Sequence, residues 1–203
     1  MKVAAIVLAA GKSERMGKNK LLLSLEGKTI IERVLDSLKT AKIDEIIVVL
    51  GHKFVEIRNA IDRSNSGYHD IKIVVNEQYE EGMISSFKKG LKQVMKKDAV
   101  FLILGDQLIL NPKFLDLMIE KMRMTDGDKI IVPIFKEKKG HPVLFSKKFF
   151  KELLKAEREE TIREIINRNM NFVVKVQAEE WINVDIDTPE DFIRIKNNFK
   201  IKE

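Results

Sequence analysis

The feature that most limits how this chain can fold is a repeated alternation between short apolar runs and amphipathic helical patterns. Runs rich in valine, isoleucine and leucine occupy residues 3–8, 46–50, 71–75 and 99–104. Runs of this length that are apolar at nearly every position are typical of strands buried on both faces of a parallel sheet. Between them lie helical patterns at residues 30–38, 53–63 and 83–96. The alternation predicts a doubly wound α/β fold with a mostly parallel sheet.

Two helix starts carry local signals of their own. Thr29 with Glu32 has the spacing of a capping box, in which the side chain of each residue bonds the backbone of the other. Asn111 followed by Pro112 supplies an N-cap and a first-turn proline, so we expect a helix from there to about Met122. These signals fix where helices begin more closely than apolar periodicity does.

The last third of the chain is less regular and predicts an insertion that contains β-strands. Residues 129–135 and 142–146 have the pattern of two short strands around a turn at residues 138–140. A helix opened by Thr161 and Glu164, a strand at residues 172–177 and a final helix after Thr188 complete the pattern. We expect the insertion, residues 129–185, to lie near the carboxyl edge of the sheet, where open α/β folds bind ligands. Because no repeat or linker interrupts residues 1–203, we expect one domain.

Composition limits the setting in which the chain works. The 203 residues are 44% apolar and contain no cysteine, which excludes disulfides and thiolate metal sites and favours a cytoplasmic location. No apolar run reaches the roughly 18–20 residues needed to cross a bilayer, and the N-terminal run has a strand pattern rather than that of a signal peptide. We therefore expect no membrane partner.

The net charge of +6 is compatible with nucleic-acid binding, but its distribution argues against that function. Most lysines alternate with acidic residues, as on solvated faces. Aromatic residues make up only 7% and are not interleaved with the basic runs, as base stacking would require.

The segment after the first apolar run, LAAGKSERMGKNK at residues 8–20, has the composition of a phosphate-binding loop. Gly11 and Gly17 allow tight turns, and Arg15 and Lys20 are cations for phosphate oxygens. The loop is not a P-loop, because that motif would need glycine where Ile6 stands, and it lacks the glycines of a dinucleotide fingerprint. A polar turn between a strand and a helix is the alternative explanation.

Acidic residues in two places are candidate metal ligands. Asp106 directly follows the run at residues 99–104, at the expected ligand edge, and Asn111 already caps the next helix. Asp185 and Asp187 alternate along an extended approach to the final helix, where Thr188 with Asp191 can form the cap. If Asp185 and Asp187 converge with Asp106, their oxygens suit Mg²⁺, although Asp187 can equally belong to the helix cap.

Two further groups have polar side chains suited to ligand contact. Gly82 precedes a helix whose first turn contains Ser85 and Ser86, which can bind a base or a phosphate or can simply belong to a capped helix start. His141, between Gly140 and Pro142, can contact phosphate or serve only in a turn. The three histidines lack zinc spacing, and no serine–histidine–acid arrangement is evident.

Five segments together resemble the nucleotidyltransferases of the molybdenum-cofactor type, and among them the cytidylyltransferases. In family order and across nearly the whole chain they read LAAGKSERMGKNKLLL, NEQYEEGMISSFKKGL, GDQ, GHPVLF and DIDTPED. The resemblance implies a Rossmann-like nucleotidyltransferase fold and Mg²⁺-dependent transfer of CMP from CTP to the terminal phosphate of molybdopterin, with release of pyrophosphate. It also implies a recipient molybdoenzyme as a possible protein partner.

The resemblance assigns roles to residues at matching positions. It implies that Arg15, Lys20 and Asp106 are catalytic and bind the nucleotide, that Asp106, Asp185 and Asp187 hold the metal, and that His141 lies on the acceptor side. The remaining nucleotide contacts that it implies are Leu8, Ala9, Ala10, Gly11, Gly82, Ser85 and Ser86.

Differences from the family pattern keep other substrates open. Ala10 favours cytidine, since related guanylyltransferases typically carry LAGG at this place. Leu108 replaces the usual proline after GDQ, and residues 157–163 replace a Gly-Asp-x-Gly-Ala-Arg stretch, which affects the acceptor assignment most. The alternatives are guanylyl transfer, nucleotidyl transfer to a sugar or alcohol phosphate, and a noncatalytic nucleotide-binding protein.

Overall fold

The computed structural model describes residues 1–63, 71–179, 182 and 186–200. The strands are β1 (Val3–Ala9), β2 (Ser24–Leu25), β3 (Lys28–Thr29), β4 (Glu45–Leu50), β5 (Ile71–Val75), β6 (Ala99–Leu104), β7 (Ile130–Phe135), β8 (Lys138–Lys139), β9 (Val143–Ser146) and β10 (Val173–Gln177). The helices are α1 (Ile30–Thr40), α2 (Phe54–Arg63), α3 (Met83–Leu91), α4 (Pro112–Arg123), α5 (Phe150–Lys155), α6 (Ile162–Arg168) and α7 (Pro189–Lys200). Within the described residues, none of these helices combines the length and the apolar character needed to span a membrane.

A mixed, mostly parallel sheet forms the centre of the fold. Its strand order is β10-β7-β9-β6-β1-β4-β5, with β8 paired to β7, while β2 and β3 form a separate small hairpin. Strands β6, β1, β4 and β5 are parallel neighbours, and β9 runs antiparallel to both β6 and β7. Because Leu8 pairs with Leu104 and Ala9 with Leu50, the carboxyl ends of β6, β1 and β4 lie side by side. The loops that follow these three strands therefore meet at one edge.

Helices cover both faces of the sheet. One apolar cluster contains Val3, Ala5 and Val7 of β1 with residues of α1, α2 and α4. The other contains Ala4 and Ile6 with residues of α3, α5 and α6. Each buried valine, leucine or isoleucine side chain contributes roughly 1.5–3 kcal/mol relative to exposure, so a two-faced core of this kind strongly favours the layered arrangement. The predicted doubly wound α/β fold is confirmed.

The predicted helix starts are confirmed by their hydrogen bonds. Thr29 and Glu32 form both bonds of the capping box at α1, and Thr161 forms the same box with Glu164 at α6. The Asn111 side chain accepts from two backbone N–H groups at the start of α4, which has Pro112 in its first turn.

Helix α3 ends at Leu91, five residues before the predicted end at residue 96. Beyond it the chain closes into turns, in which Gln93 N–H donates to Gly90 O and Val94 N–H to Leu91 O. Gly90 lets α3 lie close to β1, because a Cβ at this position would come within 2.6 Å of Cγ2 of Ile6. The apolar residues Val94 and Met95 extend the helical pattern in the sequence, but both lie in these turns. Val94 is buried in the cluster that contains Ala4 and Ile6, and Met95 packs against that cluster.

The strands of the last third extend the main sheet. The turn that follows β7 lies at Lys136 and Glu137, which have φ of 46° and 64°, and not at residues 138–140 as predicted. Lys138 and Lys139 instead form β8 and pair back onto β7. Residues 140–142 do reach the carboxyl edge, because the Gln107 side chain donates from Nε2 to His141 O over 2.6 Å.

Candidate active site

A pocket of about 310 Å³ opens at the carboxyl ends of β1 and β6. It is bounded by the loop after β1, by the segment that leads into α3, and by the end of β6. Its lining residues are Leu8, Ala9, Ala10, Gly11, Ser13, Lys20, Leu21, Tyr79, Gly82, Met83, Ser86, Leu104 and Asp106. Most of the predicted nucleotide-contact residues therefore border one cavity.

The loop after β1 has a defined conformation. Ser13 has a left-handed backbone with φ of 55°, and Gly17 has φ of 65°, so two sharp turns bracket the short helical turn Glu14–Met16. The Ser13 hydroxyl accepts from the Lys20 N–H over 3.3 Å, and Met16 is buried in the core. The Ser13–Lys20 hydrogen bond thus joins two parts of the loop and Met16 anchors its middle in the core, which together hold the backbone from which the Lys20 side chain extends.

Lys20 joins two carboxylates that are distant in sequence. Its Nζ contacts Oδ2 of Asp106 and lies 3.2 Å from Oδ1 of Asp187, which is 167 positions away. The other oxygen of Asp187, Oδ2, is 2.9 Å from the Arg15 guanidinium. The Lys20 and Asp106 side chains are 18% and 16% exposed, whereas Arg15 is 70% exposed and is not part of the pocket lining. The sequence predicted all four residues, and the structure brings them together.

The surroundings of Lys20 keep its ammonium charged. Burial acts to lower the pKa of Lys20, but the charges and hydrogen bonds of Asp106 and Asp187 outweigh burial, so the pKa lies above its ordinary value. The interaction of this ammonium with an anionic oxygen beside it is stronger than in open water, because the effective dielectric constant is lower in a partly buried position.

The two carboxylates also have the chemistry of a divalent-cation site. Both point at the same cationic group, so one small ion is within reach of oxygens from both side chains. Mg²⁺ prefers hard oxygen donors such as these. Asp185, the third predicted ligand, lies outside the described residues. Among the residues that the structure describes, no cluster of three or more acidic, histidine or cysteine side chains forms a site by itself.

On the opposite side of the pocket, the two predicted serines differ in what they contact. The Asn76 side chain donates to the hydroxyls of both Ser85 and Ser86, each over 3.1 Å. The Ser85 hydroxyl then donates to Gln78 O over 3.1 Å, and Ser85 is not part of the pocket lining. Ser86 does line the pocket. Gly82, which precedes α3, has φ of 95°, a conformation that disfavours any residue with a side chain.

Close packing of Gly51 against Ala10 and Tyr79 holds two segments that line the pocket in place. His52 N–H donates to Ala10 O over 3.1 Å. A Cβ on Gly51 would lie 2.6 Å from Cβ of Tyr79 and 2.8 Å from Cβ of Ala10, so only glycine fits between them. Gly51 therefore lets the loop after β1 and the segment before α3 approach each other across the end of β4.

His141 lies near Asp106, on the side of the cluster towards β9. It is partly buried, and its Nδ1 is enclosed without a hydrogen-bond partner among the described residues. Burial lowers the pKa of His141, and the nearby Asp106 charge opposes the shift only in part. The imidazole is thus neutral at pH 7, and the Gln107 bond to His141 O ties its backbone to the residue next to Asp106.

Sequence reasoning missed several residues that border the pocket. They are Ser13, Leu21, Tyr79, Met83 and Leu104. Ser13 lies within the predicted phosphate-binding loop at residues 8–20, and Leu21 directly follows this loop. Tyr79 precedes Gly82 by three positions. A search for all residues flanking the two glycine-containing segments would have found four of the five.

Comparison with known proteins assigns the chain to a family. The sequence profile of the MobA-like NTP transferase domain matches residues 5–173. The chain belongs to this family. Its members are nucleotidyltransferases, and the match spans the loop after β1, the segment before α3 and the Asp106 turn. As a member of the MobA-like family, the protein is a nucleotidyltransferase, as predicted.

Two of the proteins similar to this chain are nucleotidyltransferases of the molybdenum cofactor. The molybdenum cofactor cytidylyltransferase of Escherichia coli K12 is 29% identical over 199 residues, which is 97% of this chain and 97% of that protein. A probable molybdenum cofactor guanylyltransferase of Methanosarcina mazei is 30% identical over 158 residues, covering 75% of this chain and 67% of that protein.

Solved structures agree with the fold of this MobA-like protein. Rv0371c of Mycobacterium tuberculosis H37Rv has a TM-score of 0.84 at 27% identity, covering 97% of this chain and 98% of that chain. A complex of the same protein with manganese has a TM-score of 0.80 at 25% identity, covering 97% of this chain and 99% of that chain.

Proposed function

We propose that the protein transfers CMP from CTP to the terminal phosphate of molybdopterin and releases pyrophosphate. The observation that carries the proposal is the convergence of Lys20, Arg15, Asp106 and Asp187 at the pocket formed by the loop after β1. This arrangement suits a substrate with a neutral base at one end and a highly charged triphosphate at the other.

The reaction needs charge neutralisation and alignment more than it needs a general base. An oxygen of the acceptor phosphate attacks the α-phosphorus, and the bond from this phosphorus to the oxygen bridging the α- and β-phosphates breaks. Because the attacking phosphate is already ionised, no side chain has to remove a proton. The leaving pyrophosphate carries away the electron pair of the broken bond, and cations near it lower the barrier.

The positions of Lys20 and Arg15 suit contact with the leaving group. Lys20 is partly shielded and remains charged, so it stabilises developing negative charge more than a fully solvated lysine does. Arg15 is more exposed, and its guanidinium can bind two phosphate oxygens at once. Asp187 holds both cations in place until a triphosphate competes for them.

The candidate ligands of Mg²⁺ are the carboxylates of Asp106 and Asp187. The third candidate is Asp185, which lies outside the residues that the structure describes. A divalent ion bound there supplies positive charge to phosphate oxygens and helps to align them. The manganese complex of the Mycobacterium tuberculosis relative supports a divalent ion in this fold.

His141 is proposed to lie on the acceptor side. Its neutral imidazole can donate a hydrogen bond to a phosphate or to another polar group without adding charge. Gln107 fixes the backbone that carries it.

Ala10 and the relatives support the proposed preference for CTP over GTP. The cytidylyltransferase aligns over 97% of this chain and the guanylyltransferase over 75%, at nearly the same identity. Guanylyl transfer to the same acceptor is the second candidate, supported by the guanylyltransferase relative.

A substrate panel tests these assignments. The protein is incubated with Mg²⁺, molybdopterin and each of the four ribonucleoside triphosphates in turn, and released pyrophosphate is measured. We expect release with CTP that exceeds release with GTP, and none when molybdopterin is omitted. Parallel reactions replace molybdopterin with a sugar phosphate or an alcohol phosphate.

Each other outcome contradicts a specific part of the proposal. A preference for GTP overturns the base assignment, and release with a sugar phosphate but not with molybdopterin overturns the acceptor. Absence of release with every pair, in a protein that still binds nucleotide, favours the noncatalytic alternative.

A further inference from the structure

The hydrogen bonds around Asn76 determine how the pocket can contact a nucleobase. Asn76 directly follows β5 and is only 3% exposed. Its Oδ1 accepts from Gln78 N–H over 3.2 Å, and its Nδ2 donates to the hydroxyls of Ser85 and Ser86. Because a backbone N–H can only donate, the orientation of the Asn76 amide is fixed by this network.

That orientation leaves one hydroxyl proton free. Both hydrogens of Asn76 Nδ2 are used, so the Ser85 and Ser86 oxygens each act as acceptors. The Ser85 proton goes to Gln78 O. Among the described residues, the Ser86 hydroxyl accepts from Asn76 and donates no hydrogen bond of its own. Ser86 is nevertheless only 3% exposed and lines the pocket.

A buried hydroxyl with an unused proton favours a ligand that supplies an acceptor. Leaving such a donor unsatisfied costs about 1–3 kcal/mol, which a ligand acceptor at that point recovers. The pocket that Ser86 lines is also lined by the small residues Ala10 and Gly82 and by Tyr79 and Met83. The carbonyl oxygen and the unprotonated ring nitrogen of cytosine are two adjacent acceptors of the kind required.

We propose that Asn76 is a positioning residue that presents the Ser86 hydroxyl as a hydrogen-bond donor to an acceptor atom on the nucleobase. This inference rests on the proposed use of a nucleoside triphosphate and deepens it. Asn76 does not itself line the pocket and acts through Ser86, while Ser85 is the second acceptor that keeps both Asn76 hydrogens engaged.

A double-mutant cycle tests whether Asn76 acts through Ser86. The variants are Asn76→Asp, Ser86→Ala and the combination of both, and the measurements are the dissociation constant for CTP with Mg²⁺, together with KM and kcat. Ser86→Ala removes the donor, and we expect CTP binding to weaken about tenfold, as for loss of one hydrogen bond. Asn76→Asp has nearly the same shape but only accepts, so the Ser86 proton turns towards it and the loss is similar.

The decisive quantity is the effect of the two changes combined. If Asn76 acts through Ser86, the double variant binds CTP no more weakly than Ser86→Ala alone. The kcat stays close to that of the parent because neither residue is proposed to contact the α-phosphorus. Independent effects that multiply to about a hundredfold overturn the proposal, as does an Asn76→Asp variant that binds CTP like the parent.

Controls separate this role from a purely structural one. Asn59→Asp places the same new charge on an exposed position of α2, and we expect the dissociation constant for CTP to stay unchanged. Melting temperatures are recorded for every variant. If Asn76→Asp does not fold, Asn76→Ala takes its place in the cycle, with a smaller loss and the same non-additivity expected.

Failure of the proposed role of Asn76 and failure of the proposed transfer reaction give different results. If the parent protein releases no pyrophosphate with any acceptor, the transfer reaction is wrong, but CTP binding still reports on the cycle. If transfer occurs and the cycle is additive, only the role of Asn76 is wrong.

Discussion

At the scale of single residues, Lys20 has the greatest influence on the candidate site. It contacts Asp106 and Asp187 while only 18% of its side chain is exposed. Removing the Lys20 ammonium leaves the Asp106 carboxylate without its cationic partner, whereas Asp187 keeps Arg15, and an uncompensated, partly buried carboxylate is costly both for stability and for binding a triphosphate. The neighbouring loop lysine Lys18 is exposed and forms no ion pair with any described residue, so the two lysines provide a matched pair.

We expect Lys20→Met to lower the rate of pyrophosphate release by about 10²–10³-fold, the size of effect seen when one charge-stabilising donor is removed from an active site. Lys18→Met removes the same charge from the same loop, and we expect it to change the rate only slightly. Initial rates at saturating CTP and acceptor measure the difference. Equal losses in the two variants would indicate a general effect of loop charge and would contradict the specific role of Lys20.

At the scale of elements, the start of α7 determines where Asp187 lies. The Thr188 hydroxyl accepts from Asp191 N–H over 3.2 Å, and the Asp191 carboxylate accepts from Thr188 N–H over 3.0 Å and from Asp187 N–H over 3.3 Å. The predicted cap is thus present, and it also holds the backbone of the residue that contacts Arg15 and Lys20. Helix α6 has the same type of box at Thr161 but contributes no residue to the pocket lining.

The two caps allow stability and activity to be separated. Thr188→Ala and Thr161→Ala each remove a capping hydroxyl, and we expect each to cost about 1 kcal/mol in the free energy of unfolding. Only Thr188→Ala should also lower the rate of pyrophosphate release, because it loosens the backbone at Asp187. Denaturant unfolding and initial rates on both variants provide the comparison. Similar activity in the two variants would mean that the cap does not control Asp187.

At the scale of the whole molecule, we expect His141 to be one of the groups through which pH changes the stability of the fold. Burial lowers the pKa of His141 below its ordinary value of 6.5, and Asp106 opposes this shift in part. As the pH falls below 6.5, the unfolded chain binds a proton that the folded protein resists. The free energy of unfolding therefore decreases as pH falls, and the decrease levels off below the pKa of the folded protein.

We expect His141→Gln to flatten the dependence of stability on pH between roughly pH 7 and 5, the range in which histidines titrate. One proton contributes a slope of at most about 1.4 kcal/mol per pH unit, so the parent and the variant should differ by less than that. Urea unfolding at a series of pH values gives the two slopes, and carboxylates common to both proteins cancel in the difference. Parallel curves would show that His141 titrates alike in the folded and unfolded states.

Much of the fold follows from patterns that span only a few residues. The apolar runs predicted β1, β4, β5 and β6 to within one residue at each end, and the capping boxes at Thr29 and Thr161 began helices where expected. The predicted end of α3 and the turn after β7 were wrong. Both depend on contacts with other elements, because Val94 and Met95 pack against the core beyond the end of α3 and because Lys138 and Lys139 pair with β7.

The sequence by itself determined the layered α/β architecture and the residue types of the candidate site, because strand burial, helix capping and loop charge depend on neighbours within about four positions. Only the tertiary structure decided which of those residues meet. The order β6-β1-β4 brings Asp106 beside the loop that carries Lys20, and α7 brings Asp187 to the same ammonium from 167 positions away. The choice between Ser85 and Ser86 depended on one buried amide, Asn76, whose contacts lie nine and ten positions along the chain. Contacts of this kind are set by the packing of strands and helices in space, which local spacing does not specify.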